Sequence, residues 1–156
     1  SAASDVYKRQ AAEVAALCLA NLYNSGGHRK ITPDEYETIK KYLQKFPESM
    51  HIRAAFIIAS EAIYSPSAEY KRVPDKIINK AKQWSEQYPK KIEFQEAYFG
   101  LLFSRLKYAQ AQDMRNEQRR VYREMKTVAE RANYSEYNES NQLMESVDIL
   151  HRVFGY

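Results

Sequence analysis

The chain has 156 residues, a formal net charge of +4 and a pI near 9.0, and its four glycines and five prolines are too few for an all-β or disordered chain. The length allows one domain with its own core, no run of eighteen apolar residues marks a transmembrane helix, and a single cysteine excludes an intramolecular disulfide. Charge is uneven: fifteen basic against eight acidic groups over residues 71–132, and one against four over residues 133–156.

Apolar spacing predicts seven helices. The first spans about Ala11 to Tyr23, with Val14, Leu17, Cys18 and Leu22 inward, Cys18 as a buried structural thiol, and the breaker Asn24-Ser25-Gly26-Gly27 after it. The second takes Thr32 as N-cap and Pro33 as first helical residue, with Asp34 and Glu35 at its positive end; its face is Tyr36, Ile39, Tyr42, Leu43 and Phe46, and Pro47 closes it. The third, Ser49 to Tyr64, is apolar nearly all round, as a central helix is. Pro74-Asp75 starts the fourth, with Val73, Ile77, Ala81, Trp84 and Tyr88 on one stripe, and Pro89 ends it. The fifth runs from Lys91 to Ala109, the sixth from Asp113 to Ala132 and the seventh from Glu136 to Phe154. Between the fifth and sixth there is neither Gly nor Pro; a turn is expected because one helix over 91–132 would be about 60 Å long at about 1.5 Å per residue.

The chain also repeats itself. Tyr23, Pro33-Asp34 and Phe46-Pro47 return as Tyr64, Pro74-Asp75 and Tyr88-Pro89, at offsets of 41, 41 and 42 residues. Such a period on helical spacing marks stacked helical hairpins. With Phe99-Gly100-Leu101-Leu102-Phe103 and the helix-ending Pro47 and Pro89, residues 11–154 resemble a tetratricopeptide-type array. The resemblance implies an all-α, right-handed solenoid of α-α hairpins in units of about 42 residues, binding partners on the concave face of its first helices. The period exceeds the family's usual length and the third unit lacks a Pro-Asp start, so a HEAT-type array stays open.

Asp5-Val6-Tyr7-Lys8-Arg9-Gln10, after Ser1-Ala2-Ala3-Ser4, resembles the translated mosaic-end adapter of transposase-based sequencing libraries. That implies that residues 1–10 are an adapter-derived segment of a metagenomic gene model and stand outside fold reasoning. It also implies that residues 11–156 are a helical-repeat domain, the C-terminal fragment of a longer protein.

Chemistry is sparse. His28, His51 and His151 are far apart and none lies three or four residues from another His or Cys; no phosphate loop, nucleophile elbow or HExxH occurs. No enzyme, metal or cofactor is therefore expected. Arg105 sits between Leu102 and Leu106, so it is paired, snorkelling, or facing a groove. Arg53 and Gln95, 42 residues apart, are matching polar positions; these three are the expected partner-binding residues. Arg115, Arg119, Arg123 and Lys126 recur at four, four and three, one face of the sixth helix, with Arg120 beside them. That stripe is an anion surface, or a solvated face neutralised by Glu117, Glu124 and Glu130 at helical spacing from Arg120 and Lys126.

The expected function is a protein or peptide interaction scaffold. Nucleic-acid or anion binding through the basic helix is one alternative, and a regulatory arm of an enzyme or sensor lost upstream is another. A cytoplasmic location is expected, with secretion or the periplasm open.

Overall fold

The computed structural model describes residues 1–24, 31–64, 71–136 and 141–156, and every regular element among them is an α-helix. In chain order these are α1 (Ala2–Asn24), α2 (Pro33–Lys45), α3 (Met50–Tyr64), α4 (Asp75–Gln87), α5 (Ile92–Ala111), α6 (Arg115–Ala132) and α7 (Gln142–Phe154). The all-α class read from apolar spacing is what the chain adopts. The breaker residues Ser25 to Gly27, His28, and loop residues 65–70 lie outside the described residues. Among the described residues no helix is long and apolar enough to cross a membrane. The chain divides into two compact units, Ser1–Ile63 and Tyr64–Tyr156.

In the first unit α1 packs on α2. α1 starts at Ala2, ahead of the expected Ala11, and its inward face is Ala12, Ala16 and Ala20. This corrects the expected face: Val14 is 62% exposed and Cys18 is exposed. Alanines one turn apart let a neighbouring backbone approach closely, while a reading weighted by side-chain size favours the valine side. The α2 start follows its sequence: Thr32 Oγ1 accepts from Glu35 N at 3.1 Å and Glu35 Oε1 accepts from Thr32 N at 3.3 Å, with Pro33 at the first position. Tyr36, Ile39 and Leu43 are buried; the Tyr36 ring stacks on Phe56 at 5.7 Å and its hydroxyl lies 2.7 Å from Ser60 Oγ. Ser49 caps α3, accepting from Ile52 N at 3.3 Å, and donates its own proton to Glu13 Oε1 at 2.9 Å.

The two aromatic-proline joints share one backbone. Phe46 (φ −127°, ψ 65°) ends α2 and donates its N–H to Tyr42 O at 2.8 Å; Tyr88 (φ −119°, ψ 59°) ends α4 and donates to Trp84 O at 2.9 Å. Ser49 N then donates to Phe46 O at 3.2 Å and Lys91 N to Tyr88 O at 3.0 Å. Pro33 and Asp75 open helices of 13 residues each, so α2 and α3 return as α4 and α5 at 42 residues, whereas α6 and α7 start 40 and 50 residues after α4 and α5. The Pro-Asp pair has slipped by one: Pro33 is inside its helix behind Thr32, whereas Pro74 is itself the N-cap. Asp75 thereby takes the place of Pro33 and its carboxylate is free for another task.

In the second unit α5 is central, packing on α4 and α6, and α6 packs on α7. Phe94, Tyr98, Leu101 and Leu106 are almost fully enclosed, each contributing about 1.5–3 kcal/mol of apolar burial. The turn from α5 to α6 uses Asp113 at φ 52° in the place usually held by glycine. Met114 N donates to Ala109 O at 2.8 Å and Asp113 N to Gln110 O at 3.1 Å, the two bonds of a Schellman ending. α7 starts at Gln142, later than the expected Glu136, because Asn141 caps it: Asn141 Oδ1 accepts from Met144 N at 3.2 Å while Nδ2 donates to Ala129 O at 2.7 Å. The C-terminal Tyr156 folds back on the unit, its hydroxyl donating to Gln118 Oε1 at 2.7 Å and accepting from Gln110 Nε2 at 3.0 Å.

Candidate interaction surfaces

Arg53, Gln95 and Arg105 are each occupied inside the chain. Arg53 Nε donates to Pro47 O at 2.7 Å and Nη2 pairs with Glu48 at 3.2 Å, so the residue closes its own joint. Gln95 is fully buried; Nε2 donates to Tyr88 O at 3.0 Å and Ser85 O at 3.1 Å, and Oε1 accepts from Ser85 Oγ at 2.5 Å. Both positions therefore satisfy carbonyls of an aromatic-proline joint, which a buried backbone requires. The Pro89 carbonyl, equivalent to that of Pro47, is met instead by Ser135 Oγ at 2.8 Å.

Arg105, with 7% of its side chain exposed, takes the paired outcome of the three open to it. Nε and Nη2 donate to Val73 O at 3.0 and 2.9 Å, Nη2 bonds the Asp75 carboxylate, and Nη1 lies 3.8 Å from Glu117 Oε1. The guanidinium thus pins the start of α4 to α5 and α6. Its hydrogen bond and charge hold the Asp75 carboxyl below its usual range, with Arg72 adding to the effect. The slipped Pro-Asp register is what brings Asp75 there. Sequence spacing identified Arg105 as unusual but gave no sign of Val73 O, because a backbone acceptor has no side-chain pattern.

The basic stripe of α6 has the opposite character. Val121, Tyr122, Met125, Val128, Ala129 and Ala132 are buried on one side of the helix, and Arg115, Arg119, Arg123 and Lys126 are exposed on the other. Of the acids expected to neutralise this face, Glu117 pairs with Arg120 as its spacing implies, whereas Glu124 is engaged elsewhere. Glu117 pairs with Arg120 at 2.6 Å and faces Arg105, and Glu124 accepts from Tyr98 Oη at 2.8 Å. Burial, and after it the Glu124 bond, pushes the Tyr98 hydroxyl far above its normal range, so it stays a donor. Arg115 has Asp113 at 3.6 Å, both more than 80% exposed, a pair of little energetic weight. Arg119, Arg123 and Lys126 form no ion pair among the described residues.

A second polar cluster was not foreseen. Arg131 Nη1 donates to Ser85 Oγ at 2.7 Å and Nη2 lies 4.0 Å from Glu86, tying α6 to the same serine that Gln95 uses. No group of three or more His, Cys, Asp or Glu among the described residues is placed to hold a metal ion. No family model, curated protein or solved structure matches the chain.

Proposed function

We propose that this chain is a protein or peptide interaction scaffold, a right-handed array of tetratricopeptide-like hairpins with a 42-residue unit. One observation carries the reading: the joint after α2 and the joint after α4 have the same dihedrals and the same backbone bonds, and Arg53 and Gln95 stand at equivalent places in them. Reuse of one joint is how a chain propagates hairpins, and arrays of that kind offer extended surfaces for partners. The groups once expected to orient a ligand hold the scaffold together, so recognition belongs to side chains that remain free.

Selection from a displayed random-peptide library tests this. A folded scaffold enriches a related set of sequences over a urea-unfolded control. Equal recovery from folded and unfolded protein defeats the reading.

A further inference from the structure

We propose that the outward face of α6 docks an acidic helical segment of a partner protein, its carboxylates read by Arg115, Arg119, Arg123 and Lys126. The proposal rests on the scaffold reading and names the surface and the chemistry of the partner. Three observations support it.

The first is uncompensated charge. Of the acids within helical reach of this face, Glu117 is turned to Arg120 and Arg105 and Glu124 to Tyr98, Asp113 makes only an exposed pair with Arg115, and Glu130 forms no ion pair with Lys126 four residues before it. The cationic face is thus left charged by the way the interior is satisfied. Arginine supplies a planar fork that matches a carboxylate, and three of the four cations are arginines.

The second is pitch. Residues four apart on a helix are separated by about 6 Å along the axis, and the stripe covers about 16 Å in all. Carboxylates at spacings of four, four and three on a partner helix run along its axis with the same pitch, so each cation can meet one anion. The third is what borders the stripe. Met114, 44% exposed, stands beside Arg115 at one end, an adaptable apolar contact suited to a protein surface. The exposed neighbours Asn116, Thr127 and Glu130 include no aromatic ring on which a base could stack. Charge and border together favour a protein anion over a nucleic acid.

The test uses fluorescence anisotropy with the full chain and a labelled helical peptide bearing glutamates at spacings of four, four and three. A glutamine version of the peptide and a labelled oligothymidine serve as competing probes. The glutamate peptide is expected to bind, more weakly as salt rises, and Arg119→Glu with Arg123→Glu to reduce its affinity by about tenfold or more. The double glutamine variant should lose less, and Arg152→Glu on α7 should change nothing; circular dichroism checks that each variant is folded. Equal binding of the glutamate and glutamine peptides, or no effect of the double reversal, overturns the proposal. Tighter binding of oligothymidine than of the glutamate peptide at the same salt also overturns it and makes the face a nucleic-acid surface. Repeating the library selection on the double reversal separates the two levels. Enriched peptides that are not acidic and survive the reversal remove this proposal and leave the scaffold standing, whereas absence of any enrichment removes both.

Discussion

The joint after α2 and the joint after α4 have one backbone and two chemistries. At the first, Arg53 answers the Pro47 carbonyl while its other end holds Glu48, whose side chain is 90% exposed. At the second, buried Gln95 closes the carbonyls of Ser85 and Tyr88 and Ser135 closes that of Pro89, while Ser85 Oγ donates to Gln95 Oε1 and accepts from Arg131. Water can replace an exposed partner at little cost, but a buried carbonyl that loses its donor keeps the full desolvation penalty. The comparison separates what the fold requires, a donor at a fixed place, from how strongly a given unit depends on it.

Gln95→Ala should therefore have the largest effect. It leaves the Tyr88 and Ser85 carbonyls without their side-chain donor in the interior and should cost about 3 kcal/mol in urea denaturation. Arg53→Ala should cost about 1 kcal/mol, because solvent reaches Pro47 O once the guanidinium is gone. Equal losses would mean that both joints are equally wet, and the comparison would fail. A third ending, that of α5, extends it in the stabilising direction. Asp113 holds a left-handed conformation that glycine adopts without a Cβ penalty, so Asp113→Gly should gain about 0.5–1 kcal/mol. A loss instead would show that the Asp113 side chain contributes more to the turn than its exposed pair with Arg115 suggests.

Acidity sharpens the contrast between the two units. Burial pushes the Glu61 carboxyl in the first unit up, whereas Arg105 holds the Asp75 carboxyl in the second unit down. A raised carboxyl stabilises the fold below its unfolded value, near 4.5, and that contribution is lost as pH rises through the folded value. A lowered carboxyl does the reverse: its contribution is present above about 3.8 and lost as pH falls through the folded value. Glu61→Gln should thus raise stability at pH 7 and give no advantage well below pH 4.5. Asp75→Asn should lower stability at pH 7, with a deficit that closes once the wild-type carboxylate is protonated. Denaturation midpoints across that range, read for both variants, would break the contrast if the two moved in the same direction.

Much of the architecture was legible. Proline, the aromatic before it and the 42-residue spacing mark both joints because each is a local steric instruction. The matched positions of Arg53 and Gln95 were legible too, but their partners were not. A polar residue on an apolar helix looks the same from sequence whether it faces a groove or a backbone carbonyl. The α5–α6 turn was expected from length alone, because Asp113 does the work of glycine without announcing it. On α6 the cations were visible in the spacing, while the diversion of Glu124 depends on Tyr98, 26 residues away, and no helical spacing rule reaches that far.

The least energetic test bears on the packing of α1. The central helix of the second unit packs with large side chains such as Phe94, Tyr98 and Leu101, and α1 packs with Ala12, Ala16 and Ala20. Alanine adds little transfer free energy, so what such a face gains is close approach of two backbones and the dispersion contacts that come with it. Its consequence is that Val14 and Cys18 point outward. Alkylation of Cys18 by iodoacetamide in the native protein should then run within about tenfold of the rate in denaturant, since thiol reactivity follows exposure. Strong protection in the folded chain would mean that the valine face is the covered one, and that both units are built on the same large-residue principle after all.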